Sequence, residues 1–341
     1  WSSDVCSSDL VSRSETFWQA KLVSAKVLRT LGRNKEAAAD LDEAIAAVEE
    51  LRLQVAGPAA SLPSFFGDRL EPYRERILVD LARNDVAAAF ADVERSKARS
   101  LNEIARNGRP NAAKWMTNEE REKEQDLKNE LTTGNVRVFR AASGELKESL
   151  PELRTALEGK RRELESFQSL LYARHPELAA ERGDVPAIGL KDARALASSS
   201  HAAIIDYVIT PDTTYLFLIT PMGTRVFPLR IGAEQLRKKA VEFRRQLASR
   251  DLGFASLAGE LYRLLVAPAA ADLAQHRAWI IVPDGVLWDV AFQALQSKPG
   301  RYVIQDAAIS YAPSLSLLSA TLKKREDFKT PDGQQIGRAH V

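Results

Sequence analysis

Apolar residues recur along this chain with two periods, and the change from one to the other divides it. In "LRTLGRNKEAAADLDEAIA", Gly32 is followed by Ala37, Leu41 and Ala44; in "LARNDVAAAFADVERSKARSL", Asn84 is followed by Ala89, Val93 and Ser96. Residues three and four apart share a helix face. The same order after a turn-forming residue therefore predicts two copies of a helical hairpin whose small residues let neighbouring helices approach closely. The Pro- and Gly-containing connection over residues 55–68 carries Phe65 and Phe66. These are expected to pack into the repeats, with a peptide-binding role as the alternative. Lys97 and Arg99, further along, are expected on a solvated face.

A long helical hairpin follows. Thr117 and Glu120 have the spacing of a capping box, in which each satisfies an orphan backbone N–H of the other. Leu127 and Leu131 then share one face. Ser149 and Pro151 suit the start of a second arm, where Leu153, Leu157, Leu164, Phe167 and Leu171 recur at helical spacing. The arm should end near His175-Pro176, because the residue before proline disfavours helix.

From His201 the period becomes extended. "AAIIDYVI", "TYLFLIT" and "TRVFPLR", separated by short turns, predict an antiparallel meander with Tyr215, Phe217 and Ile219 facing a core. Helix returns over residues 233–250, with Leu236, Ala240, Phe243 and Leu247 on one stripe. Arg237, Lys238, Lys239, Arg244 and Arg245 lie opposite; a solvated face is expected, with contact to an acidic partner or nucleic acid as the alternative. One further helix, "SLAGELYRLLVAPAAADLAQH", leads to Trp279–Val282, a continuous apolar run closed by Pro283-Asp284-Gly285. That run reads as a strand buried on both faces and ended by a turn. A second apolar segment approaches "YAPSLSLL", where Ser314 can cap a following helix.

Composition adds little except at the ends. With 45% hydrophobic and 28% charged residues over 341 positions, the chain is an ordinary globular sequence, long enough for two or three structural units. "WSSDVCSSDL" and "IGRAHV" do not read as protein. Asp4 to Asp9 can be encoded by GAC GTG TGC TCT TCC GAT, whose reverse complement translates as Ile336 to Val341. An adapter ligated to both ends of a DNA fragment accounts for that relationship, and folding does not, so both segments are set aside. Without Asp4, Asp9 and Arg338, 47 basic and 44 acidic residues remain, a net charge of +3. No dedicated polyanion partner is implied. The single cysteine, Cys6, lies in the excluded segment, so a disulfide framework and a thiolate metal site are not expected. His175, His201 and His276 show no metal-ligand spacing, and no cofactor is expected. No apolar run reaches the roughly 18 residues of a membrane helix.

The blocks "WIIVPDGVLWDVAFQAL" and "YVIQDAAISYAPSLSLL" resemble the CHAT family, caspase-like peptidase domains that follow tetratricopeptide repeats. An apolar strand ending in Pro-Asp-Gly, an aromatic patch at Ala291-Phe292 and a strand leading into "YAPS" stand in the family's order; Ala291 replaces the family's proline. "AFADVERSKARSLNEIA" is similar to the family's joining helix, and the two hairpins are similar to tetratricopeptide repeats. The resemblance implies an α plus α/β architecture. Residues 11–107 would form the repeats, 117–176 the helical hairpin and 200–330 the N-terminal part of the caspase-like domain, with 1–10 and 336–341 adapter-derived.

The resemblance also implies a cysteine endopeptidase regulated through its repeats, with a histidine and a cysteine downstream of the "YAPS" helix. The sequence stops before either, so no catalytic residue is assigned and the fragment is expected to be inactive. The alternative is a non-catalytic scaffold for protein–protein interaction. A protein or peptide partner through the repeats, no specific nucleic acid, no membrane and a cytoplasmic setting complete the expectation. No G-x-G-x-x-G, P-loop or G-x-S-x-G pattern is present. Glu119 and Glu120, and Glu148 and Glu152, are expected to be solvated or capping groups. Asp284 is the one acid at a strand's carboxyl end, where α/β folds place ligands, and a turn role is expected for it.

Overall fold

A computed structural model describes residues 3–54, 68–107, 115–142, 146–175, 178 and 187–327. The side chains of residues 1–14, Phe65, Phe66, the Arg99 side chain, Pro176 and residues 336–341 lie outside the described parts. The chain divides into two compact units, residues 1–185 and 186–341.

The first unit is helical. Helices α1 (Ser3–Thr30) and α2 (Asn34–Gln54) form one hairpin, and α3 (Glu71–Ala82) and α4 (Val86–Asn107) a second. The two hairpins turn in the same way. Gly32 and Asn84 both adopt positive φ, 74° and 59°, a left-handed conformation that glycine and asparagine tolerate best. Ala37, Leu41 and Ala44 are fully buried, as are Ala89 and Val93. Trp18, Leu22 and Ala25 of α1, most of the apolar face of α2, and Tyr73 and Val79 of α3 form one cluster. Lys97 corrects the expectation of a solvated face: it is 5% exposed. Its position four residues after buried Val93 puts it on the inward face of α4.

Helices α5 (Asn118–Ala142) and α6 (Leu150–Arg174) form the long hairpin. Thr117 and Glu120 make the reciprocal capping box at 2.9 and 3.1 Å. Leu127, Leu131, Leu157 and Leu164 pack along the seam, with Phe167 beside them. Helix α6 stops at Arg174 and His175 takes the C-cap position.

The second unit is α/β. Helix α7 (Leu190–Ser199) precedes a meander, β1 (Ala203–Ile209), β2 (Thr214–Thr220) and β3 (Gly223–Leu229). Helices α8 (Ala233–Ala248), α9 (Phe254–Leu265) and the short α10 (Ala270–Leu273) then lead to β4 (Ala278–Val282). A small antiparallel pair, β5 (Gln296–Lys298) and β6 (Arg301–Tyr302), comes before β7 (Ala308–Tyr311) and α11 (Leu315–Asp327). The main sheet has the order β3-β2-β1-β4-β7. β1, β2 and β3 pair antiparallel, whereas β4 lies parallel to β1 and β7 parallel to β4.

One face of the sheet, with Ile205, Tyr207, Leu216, Leu218 and Ile281, buries against Leu236, Ala240 and Phe243 of α8 and Ala258, Leu261 and Leu265 of α9. Ile204, Phe217 and Ile219, which alternate with those residues, are buried on the other face. There α7 packs on β2 and β3 through Ala193, Leu196 and Ala197. Burial on both faces is why β1 and β4 read as unbroken apolar runs rather than alternating ones.

Candidate functional site

β1, β4 and β7 run parallel, so their carboxyl ends lie together on one side of the sheet, where α/β folds hold ligands. The turn Pro283-Asp284-Gly285 leaves β4 at this end, and Gly285 takes a positive φ of 48°. Asp284 is half-buried and accepts a hydrogen bond from the Ile209 amide at 2.8 Å. It therefore satisfies the last backbone donor of the neighbouring strand, a structural task that agrees with the turn role.

Beyond Asp284 the chain makes two short 3-10 segments, Gly285–Asp289 and Phe292–Ala294. They line up aromatic rings from the core outward. Tyr207 contacts Phe292 with centroids 5.5 Å apart, Phe292 contacts Tyr311 at 6.4 Å, and Tyr311 contacts Trp288 at 6.4 Å. The Tyr311 hydroxyl accepts from the Phe292 amide at 3.1 Å and donates to Gln293 Oε1 at 2.7 Å. Burial raises the Tyr311 hydroxyl above the ordinary tyrosine pKa, with the Phe292 amide opposing that shift. Tyr311 thus ties the outer strand to the aromatic segment, while Trp288 remains 48% exposed. The sequence pattern points to neither Trp288 nor Gln293, because their proximity to Tyr311 is tertiary.

The histidines lie elsewhere. His201 directly precedes β1 and His276 precedes β4, both at the amino ends of their strands. The His276 carbonyl accepts from the Trp279 indole N–H. In the first unit, His175 Nε2 lies 3.0 Å from Glu120, which also pairs with Arg174 at 2.9 Å. The Thr117 amide, more than Arg174 or His175, holds the Glu120 carboxyl below its usual pKa. Glu120 is therefore a cap and a helix-end clasp. Glu119 and Glu152 are exposed, and Glu148 pairs with Arg137 at 2.6 Å. The sequence has no cysteine in residues 186–341. Among the described residues no group of three or more His, Cys, Asp or Glu is arranged to hold a metal ion, and no helix is long and apolar enough to cross a membrane.

The basic run of α8 is engaged throughout. Arg237 and Lys238 pair with Glu234, Arg245 with Glu242, Lys239 with Glu260 and Arg244 with Asp289. Five cations are thus answered by four carboxylates, the pairing expected of a solvated helix face.

The two margins of the sheet differ. β3 carries Pro228, which has no amide proton, and Arg225, which pairs with Asp272 at 2.6 Å and covers the Phe227 ring. β7 consists of Ala308, Ile309, Ser310 and Tyr311, without charge or proline, and three of its four residues are exposed. Natural sheets blunt their edges with such charges and prolines. β3 is therefore a finished edge, and β7, among the described residues, is an open one.

No curated protein and no solved structure matches the chain. Residues 255–333 match the family model described as the CHAT domain. The match begins in α9 and takes in β4, the aromatic segment, β7 and α11. Over residues 255–333, which include β4, β7 and α11, the chain is therefore similar to the CHAT-domain family.

Proposed function

We propose that the second unit is the platform half of a caspase-like cysteine endopeptidase domain, onto which a catalytic half docks along β7. The first unit is, in this proposal, a tetratricopeptide-type array that binds a protein or peptide partner and thereby regulates cleavage. The observation that carries the reading is the contrast between the blunted β3 margin and the open β7 margin. A strand without charge or proline, flanked by an exposed Trp288–Tyr311 pair, suits pairing with a further strand. The CHAT match over the same residues supports a caspase-like continuation. On this reading residues 1–341 do no chemistry by themselves, because acyl transfer by a cysteine peptidase needs a thiolate and a histidine at the carboxyl end of the sheet.

Sequencing the source DNA past the codon for Gln335 tests the proposal. A frame encoding one strand that ends in histidine and a later strand that ends in cysteine is the expected result. A frame that continues in similar strands without that pair would make the protein a non-catalytic scaffold. At the protein level, a thiol-directed activity probe should label the 341-residue chain at Cys6 and nowhere else.

A further inference from the structure

Helix α1 presents an apolar stripe to solvent. Phe17, Val23 and Val27, and Leu31 in the turn directly after the helix, are 46%, 62%, 53% and 63% exposed. Together with exposed Ala20 they fall within about a third of the helix circumference at 3.6 residues per turn. No other described helix carries more than one exposed large apolar side chain. A stripe confined to one face of one helix differs from the scattered apolar residues found on any surface.

The second hairpin indicates what such a face receives. With Gly32 and Asn84 taken as the same point of the repeat, Phe17, Ala20, Val23 and Val27 of α1 correspond to Arg69, just before α3, and to Pro72, Glu75 and Val79 within it. Those four positions are covered. Pro72, Glu75 and Val79 are buried. Arg69 donates to Glu15 at 2.7 Å, and Arg29 pairs with Glu75 at 2.9 Å. Val79 belongs to the same apolar cluster as α1 and α2. The cover is the preceding hairpin, α1–α2.

We propose that the Phe17–Leu31 face of α1 is the docking surface for one more helical hairpin of the α1–α2 type, stacked ahead of the first by the same step that relates α1–α2 to α3–α4. The chemistry of the partner follows from the differences between equivalent positions. Where the turn before α3 and α3 itself offer Arg69 and Glu75 to ion partners on α1, α1 offers Phe17 and Val23. The docking hairpin therefore presents apolar side chains there rather than charges. Stacked repeats derive much of their stability from such nearest-neighbour interfaces, so an uncovered one favours a further unit. The inference rests on the helical-repeat reading of the first unit. It is independent of whether the second unit is part of a peptidase.

The test uses the full chain with a further copy of residues 15–66, carrying Glu15→Leu and Arg29→Leu so that it offers apolar side chains opposite Phe17 and Val23, placed between residues 14 and 15, which preserves the spacing from Gly32 to Asn84. The expected result is a monomer whose helical unit melts in one transition at a higher Tm, with slowed hydrogen exchange in the added hairpin. Introducing Val23→Glu together with Val27→Glu in the original α1 should abolish both changes. The same pair in the unextended chain should leave its melting as it was, because both side chains are exposed. An added hairpin that exchanges freely, or a gain that survives the glutamates, would overturn the proposal. A dimer of the unextended chain that dissociates on the same two substitutions would also overturn it, by giving the face to a second copy.

Discussion

The backbone amide of Ile209 donates to the Asp284 carboxylate across 2.8 Å, so a side chain leaving β4 closes the end of β1. Replacing Asp284 with Ala removes the acceptor and should cost about 1–2 kcal/mol, the usual range for stranding one partner of a partly buried hydrogen bond. Asp284→Asn keeps an acceptor in place and should lose less than half as much. Urea midpoints of the second unit measure both. Equal losses would mean that the charge, and not the hydrogen bond, is what the turn uses.

Tyr207 is fully buried, and its hydroxyl donates to the Leu265 carbonyl at the end of α9 at 2.9 Å. Tyr207→Phe keeps the ring against Phe292 and leaves that carbonyl without this donor. The expected cost is about 1–2 kcal/mol. Tyr207→Ala also removes the ring and should cost about 3–5 kcal/mol. Thermal melts of the two variants should differ accordingly, and similar values would show that the hydroxyl dominates.

Two glycines should respond to alanine with opposite signs. A Cβ on Gly232, just before α8, would lie 2.2 Å from the Pro211 carbonyl oxygen and 3.0 Å from Asp212 backbone atoms. Backbone must shift, so Gly232→Ala should destabilise by about 1–3 kcal/mol. Gly159, inside α6, has nothing within 4 Å of the same atom. Gly159→Ala should stabilise the helical unit by about 0.5–1 kcal/mol through helix propensity alone. Denaturation of the two variants reads this out, and a destabilising Gly159→Ala would contradict the open surroundings.

A partly buried ionic cluster predicts the pH response of the first unit. Arg76 of α3 bonds Asp42 of α2, bonds Asp80 at 3.1 Å and approaches Asp92 of α4 at 4.0 Å; Arg83 pairs with Asp80 and Arg95 with Asp92. Burial pushes Asp92 up to about 6, with Arg95 and Arg76 opposing and Asp80 and Asp42 adding to the shift. A folded pKa above the unfolded one means that the folded state holds the proton more tightly. That contribution is fully present below the unfolded value near 4 and is lost as pH rises through about 6. Going from pH 5 to pH 7 should therefore cost about 1 kcal/mol, and Asp92→Asn should flatten the dependence. Asp40, held low by Lys21, and Glu120, held low by the Thr117 amide, act in the opposite sense and lose their stabilisation in stronger acid. Chemical denaturation between roughly pH 4 and 7, the window spanned by the unfolded and folded values of Asp92, checks the sign.

The repeats, the hairpin arms, the meander and the Trp279 strand were legible because each is fixed by a local period that its buried face preserves. Ser314 also acts as read, its hydroxyl accepting from the Leu317 amide at 3.2 Å. Helix α7 was missed, although Ala193, Leu196 and Ala197 have helical spacing; ten residues ending in a serine run give a weak signal. The segment read as one helix before β4 is broken, because Pro268 supplies no amide proton and α9 gives way to a 3-10 turn and the short α10. For the candidate site, the turn role of Asp284 could be anticipated from Asp before Gly. The Trp288–Tyr311–Gln293 grouping could not, since contacts between residues 288, 293 and 311 depend on how the 3-10 segments fold back onto β7. Likewise the i,i+3 ion pairs on α8 could be read from spacing, whereas Glu260 and Asp289 as partners of Lys239 and Arg244 could not.

The strand order also sets a sequence of events in folding. β1 sits at the centre, and later strands are laid outward from it on both sides, β2 and β3 through turns of a few residues, β4 and β7 only after long excursions. Closing a short loop costs less entropy than closing a long one. The three-stranded meander can therefore form early and act as a template, while the parallel strands add late. Truncating substitutions in β2 should slow refolding, and matching ones in β7 should mainly hasten unfolding.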